Sequence, residues 1–134
     1  VFEYILQNTN VGKEVHLNEI HVESLAGDGV LEFFRDVTSA DMGSPETMHN
    51  KNFKSTNTSL LTLGNTPTGV VTPTAPFRPW YVSSGKQEAG TSGQSIDEYV
   101  LEENVKYLVR YTNNSTTVYD ALAIIISTLE IGLL

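Results

Sequence analysis

Apolar and polar positions alternate with a period of two along most of the chain, the spacing of strands that each put one face into a core. "FEYILQ" (Phe2–Gln7) reads as a first strand, closed by the turn-rich "NTNVGK". In "EVHLNEIHVES" the apolar positions change phase, Val15 and Leu17 being odd and Ile20 and Val22 even, which predicts a bulge near Asn18–Glu19. Asp28–Gly29 then offers a hairpin turn into "VLEFFRDV", so that Val15–Val37 is expected to form a hairpin.

The stretch "TSADMGSPETMHNKNFKSTN" has no sustained period and reads as a long loop, followed by a short strand, "TSLLTL". Prolines 67, 73, 76 and 79 mark the next segment as edge strand or irregular connection, because proline cannot donate to a sheet ladder. "KQEAGTSGQS" reads as a surface loop. Near the end, Val105, Tyr107, Val109 and Tyr111 share one face and Lys106, Leu108 and Arg110 the other. "TNNST" (Thr112–Thr116) is the expected turn, with Val118–Ile131 as the returning strand of a second hairpin. Residues Ala121–Ile126 are apolar on both faces, which predicts a strand covered twice, by its own core and by something else. A helix over Asp120–Leu129 competes, but the run Ile124–Ile125–Ile126 and Thr128 is β-branched and favours the extended form. Short antiparallel strands joined by turns predict an all-β fold, an antiparallel β-sandwich or jelly roll in a single domain over residues 1–134.

Charge narrows the partners. Eight Lys+Arg stand against sixteen Asp+Glu, and a net charge of −8 repels phosphate backbones, so no nucleic-acid partner is expected. The chain has no cysteine, so neither disulfides nor thiolate zinc sites hold it together. "VFEYILQNTN" lacks the basic lead and long apolar core of a signal peptide, and Ala121–Ile126 falls far short of the roughly 20 residues a helical span needs. No membrane partner is expected.

The chemical motifs are weak. His16 and His21, five apart, fall on opposite strand faces unless the bulge realigns them, and His49 lies in the long loop; a metal site from these with Asp41 or Glu46 is the lesser reading, and none is assigned. No G-x-S-x-G elbow occurs, "GTSG" (Gly90–Gly93) has the wrong spacing, and the phosphate-cradling G-x-x-x-x-G-K-[ST] pattern is absent. Glu102 and Glu103 are strand neighbours and should diverge rather than face one substrate. The sequons at Asn57, Asn113 and Asn114 read as turn chemistry. Neither a catalytic residue nor a cofactor is assigned, and the chain is not read as an enzyme.

Two clusters suit contact instead. "PFRPWYV" sets Phe77, Arg78, Trp80 and Tyr81 between stiffening prolines, and Trp, Tyr and Arg are common interface anchors. Trp80 plugging one end of the core is the competing structural role. In "MHNKNFKSTNTSLLTL" (Met48–Leu63), Asn50 and Asn52 are expected to hydrogen-bond local backbone while Phe53 ties the loop to the sandwich.

The order of segments carries a resemblance. "KEVHLNEIHVESLAGDGVLEFFRDVTSADMGSPETMHNKNFKST" resembles small virion proteins of tailed bacteriophages, in which a "vhL..I.v" strand and a hairpin precede a loop of the kind "G.p…N.N…S". "YVLEENVKYLVRYTNNSTTVYDALAIII" is similar to that family's closing hairpin, so the likeness runs from about Lys13 to Ile131. The proline-rich middle, Thr66–Tyr81, departs from the pattern. The resemblance implies a jelly-roll-like decoration (cement) protein on the outer face of a phage head. It would form an oligomer, often a trimer, contact the major capsid protein, and strengthen the shell against internal DNA pressure. The family's loop motif falls on Asn50, Asn52 and Ser55 here, and no catalytic residue comes with it. A receptor- or glycan-binding module of a head or tail fibre is the alternative, with Trp80 and Tyr81 as its stacking platform.

Overall fold

The computed structural model describes residues 1–24, 28–82, 99–113 and 122–132. Nine strands are described: β1 (Phe2–Asn8), β2 (Lys13–Ser24), β3 (Gly29–Arg35), β4 (Ser44–Glu46), β5 (Leu61–Asn65), β6 (Arg78–Val82), β7 (Tyr99–Leu101), β8 (Lys106–Asn113) and β9 (Leu122–Gly132). They form a six-stranded sheet ordered β4-β5-β1-β8-β3-β6 and a three-stranded sheet ordered β7-β2-β9, every ladder antiparallel. The two sheets pack face to face, the all-β sandwich that the alternation predicts.

The core between the sheets takes Leu6, Leu31, Phe33, Leu63, Tyr107, Val109 and Tyr111 from the large sheet and Val15, Leu17, Ile20 and Val22 from the small one. Each such apolar side chain, fully withdrawn from water, contributes about 1.5–3 kcal/mol before conformational entropy is charged against it. The predicted bulge is present: pairing with β9 slips between Leu17 and Glu19. That one extra residue lets both halves of a twelve-residue strand keep their apolar side chains inward.

The two expected hairpins do not form. β2 lies in the small sheet and β3 in the large one, and β8 and β9 are divided the same way. Strands facing each other across a core bury the same alternate positions that a hairpin would, so alternation alone does not choose between the two arrangements. Length does: β2 finds in β9 a partner it can follow from Lys13 opposite Gly132 to Ser24 opposite Leu122. Of the turn expected at Thr112–Thr116, Thr112 and Asn113 belong to β8, and residues 114–116 lie outside the described set. Residues 122–132 form a strand and not a helix, as the β-branched run predicts.

The large sheet is covered on its outer face as well. Ile5, Phe34, Val37 and Leu108 form a second buried cluster, with Met42 and Val70 packed against it. The covering segments are clamped by backbone hydrogen bonds between Thr38 and Val71 (3.1 and 2.8 Å) and from Ala40 to Thr68 (2.9 Å). The first of them runs on into β4, a three-residue edge strand of the large sheet inside the stretch expected to be loop throughout. The backbone approaches so closely that a Cβ on Gly64 would stand 1.6 Å from the Met42 carbonyl oxygen, so only glycine fits there. The proline-bearing segment ends in β6, an edge strand with Pro79 opposite Glu32, as proline requires. The surface loop expected within 86–95 lies outside the described residues.

Candidate functional site

The polar loop and β9 share a trough. Residues 48–52 and 56–60 form one wall and Ile126–Glu130 the other, around a cavity of about 850 Å³. Within the loop the asparagines behave as expected. Asn50 Oδ1 accepts from the Asn52 N–H (2.8 Å), and Asn50 Nδ2 donates to the Asn57 carbonyl (3.2 Å). Asn52 Oδ1 accepts from the Lys54 N–H (3.2 Å), and Ser55 Oγ accepts from the Asn57 N–H (3.1 Å). These local bonds satisfy backbone groups that have no ladder to join.

Phe53 does not tie the loop down; it is 97% exposed. The apolar anchors are Met48 and Leu60, packed against the core at the two ends of the segment. A polar anchor sits between them. Glu130 of β9 accepts hydrogen bonds from Ser59 Oγ and from the Leu60 N–H (3.0 Å). Phe53 is therefore held out in solvent by a loop whose own ends and turns are already satisfied.

The outer face of the small sheet is a second surface. The bulge brings His16 and His21 onto this same face, opposite Leu129 and Ile125 respectively. His16 Nε2 lies 2.7 Å from Glu14 Oε2, and His21 is 9% exposed. Among the described residues no group of three or more His, Cys, Asp and Glu is placed to hold a metal ion; His49 is on the trough wall, apart from the other two. Around the histidines stand Val100, Ile125 and Leu129, which are 56%, 46% and 50% exposed. The inner face of β9 is covered as predicted, Ile124 and Ile126 packing on the core. On its outer face Ile125 and Leu129 stay about half exposed.

The third surface is an aromatic cleft where β3 and β8 of the large sheet, with Phe77 just before β6, meet β7 of the small one. Phe33 stacks on Tyr107 (5.7 Å between ring centres) and on Tyr99 (5.6 Å), and Phe77 meets Phe33 and Tyr99 edge-on at 6.4 and 5.6 Å. A cavity of about 450 Å³ opens over these rings, with Arg35 and Glu102 at its rim, joined by a hydrogen bond of 2.6 Å. That bond to Glu102 raises the Arg35 pKa further above its usual value. Burial pushes the Tyr107 phenol upward, although its oxygen accepts from the Glu102 N–H at 2.9 Å. Of the predicted contact residues, Phe77 thus belongs to the cleft, while Tyr81 is 78% exposed farther along β6 and Arg78 pairs in register with Phe33. Trp80 is placed opposite Leu31, and its side chain lies outside the described set. Neither cluster named from the sequence meets the other: Asn50 and Asn52 line the trough, whereas Phe77 lines the cleft. Phe33, Tyr99 and Tyr107 were invisible as cleft residues because each reads locally as an ordinary inward strand position.

Glu102, Glu103 and Asp41 each have partners of their own. Glu102 binds Arg35, and Glu103 Oε1 accepts from the Gly12 N–H at 2.8 Å, so these neighbours diverge. Asp41 accepts from the Thr68 N–H (3.0 Å), Thr68 Oγ1 (2.7 Å) and the Gly43 N–H (2.9 Å), and these bonds, the Thr68 pair first, hold its pKa below the usual carboxylate value. Compared with known proteins, the chain matches no family model, no curated protein and no solved structure.

Proposed function

We propose that this chain is a structural virion protein that decorates and stabilises the outer surface of a tailed-phage capsid through protein–protein contacts. The observation that carries the reading is a group of half-exposed apolar side chains on the outer face of the small sheet. Val100, Ile125 and Leu129 stand there, on strands whose inward side chains Leu101, Ile124 and Ile126 pack in or against the core. The large sheet has a covering of its own chain on the corresponding side; the half-exposed apolar residues of the small sheet offer another protein a place to pack. The order of segments resembling phage virion proteins supplies the setting. It also supplies the finer expectations: a jelly-roll relationship between the sheets, the major capsid protein as partner, and a homo-oligomer, with three copies favoured. The net charge of −8 suits an outer surface away from packaged DNA.

The test is a comparison of complete particles with particles lacking the protein. The cementing role requires earlier melting and earlier DNA loss in the latter, together with saturable rebinding of the purified chain. Equal heat resistance would rule it out.

The aromatic cleft favours a second reading, a glycan- or receptor-binding module, because an exposed flat ring such as Phe77, backed by Phe33 and Tyr99, is a surface on which a sugar can stack. A glycan array that lights up with the native chain and dims for Phe77→Ala would establish it. Location separates the two: an even distribution over the head supports cementing, confinement to the tail supports receptor binding.

A further inference from the structure

Among the described strands the two sheets have four edges, and three of them are blunted. β4 has three residues and contains Pro45, β6 has five and contains Pro79, and β7 has only three. Short strands and prolines are the ordinary means of stopping another chain from adding to a sheet. β9 has neither. It runs for eleven residues as "LAIIISTLEIG", with no proline and no lysine or arginine. The register slip in its ladder falls on the β2 side, between Leu17 and Glu19, so β9 itself is unbroken. Its single charge, Glu130, is turned to Ser59 and Leu60. Among the described residues no strand pairs with its far side.

The trough lies along this bare edge. Its β9 wall, Ile126–Glu130, is about 17 Å long at the usual rise per strand residue, and an added strand sits about 4.8 Å from its neighbour. The opposite wall does not collapse onto the edge, because the loop is held by its own Asx-type hydrogen bonds and by Glu130. The trough also runs against the sign of the chain. Lys13 and Lys51 line it in a protein whose net charge is −8, and its one carboxylate, Glu130, is engaged by Ser59 and Leu60.

We propose that the trough captures an extended, acidic segment of a partner protein, which pairs with β9 as a fourth strand of the small sheet. Main-chain hydrogen bonds to β9 supply the pairing. Carboxylates on alternate positions of the incoming segment reach Lys13 and Lys51, and apolar positions between them face the sandwich. A second copy of β9 fits worse: its only carboxylate is already engaged within its own subunit. A basic segment is repelled, and nucleic acid meets the negative field of the whole chain. This inference is independent of the capsid reading, since it concerns the isolated chain and a peptide.

The experiment is a titration of the full chain with three synthetic peptides of equal length. The first alternates Glu and Val, the second replaces Glu by Lys, and the third carries a central proline. Binding is read by fluorescence anisotropy, and its position by hydrogen exchange of the β9 amides. The acidic peptide is expected to bind and to slow exchange at Ile126–Glu130, with the other two weaker by about tenfold or more. The variant Lys13→Glu/Lys51→Glu, altered only at exposed side chains, should reverse the preference between the first two peptides. Salt titration on the native chain gives a check that needs no variant, because added salt should weaken the acidic peptide selectively. Several outcomes overturn the proposal: no binding of the acidic peptide, equal binding of all three, protection elsewhere, or an unchanged preference in the charge-reversed variant. Concentration-dependent protection of β9 without any peptide would assign the edge to a second copy and equally overturn it.

Discussion

The Glu130 carboxylate of β9 accepts a hydrogen bond from the Leu60 backbone N–H at 3.0 Å, across seventy positions of sequence. It thereby fastens the end of the polar loop to the edge of the small sheet. Glu130→Ala removes this acceptor and that of Ser59 together, leaving a partly buried N–H without a partner. A loss of about 1–3 kcal/mol in urea unfolding is expected, and limited proteolysis should cut within 48–58 faster than in the native chain. Ser59→Ala, which keeps the Leu60 bond, should cost only about 0.5–1.5 kcal/mol.

Asp41 sets an acid limit on the covering of the large sheet. Its folded pKa lies below the ordinary value of 3.8 because Thr68 and Gly43 hydrogen-bond the charged form. The stabilisation is therefore complete above the unfolded value and disappears as pH falls through the folded one. Asp41→Asn should melt below the native chain at neutral pH, and the gap between the two melting temperatures should close as the pH is lowered past that range. A gap independent of pH would assign the effect to shape and not to charge.

Gly64→Ala tests the close approach of the covering segment. The added methyl meets the Met42 carbonyl, a backbone atom that cannot swing aside as a side chain would. Destabilisation of about 3 kcal/mol is expected, seen as a lower midpoint in urea unfolding. Gly12→Ala has no atom within 4 Å of the new Cβ, so its cost comes only from the positive φ of 77°. It should be the milder change, about 1 kcal/mol.

Ile125→Ser with Leu129→Ser separates folding from docking. Both side chains are about half exposed on the outer face of the small sheet, so the isolated chain should lose at most about 1 kcal/mol. Rebinding to stripped particles, by contrast, should fall about tenfold or more. Unchanged rebinding would move the contact away from this face.

Much of the fold was legible in residue patterns because the cause was local. The phase change between Leu17 and Ile20 announced the bulge, Pro79 announced an edge strand, and the two faces of β8 follow its alternation. Pairing was not legible, since β2 beside β3 and β2 across from β3 bury the same side chains. β4 escaped because three residues including a proline have no period to detect. The trough escaped for another reason: Met48–Leu60 leads into the large sheet and Ile126–Glu130 belongs to the small one, so the two walls meet only once the sheets have packed together. Phe53 is the useful misreading, an aromatic residue in a polar loop whose anchoring had been delegated to Met48, Leu60 and a carboxylate.

Because three margins of the described sheets are short or carry proline and one is long, growth by strand addition favours a single direction. A guest seated on that margin would turn its own far edge toward the 48–60 loop, whose hydrogen bonds hold it in place. The loop that leaves room for one strand would then also limit how many can follow.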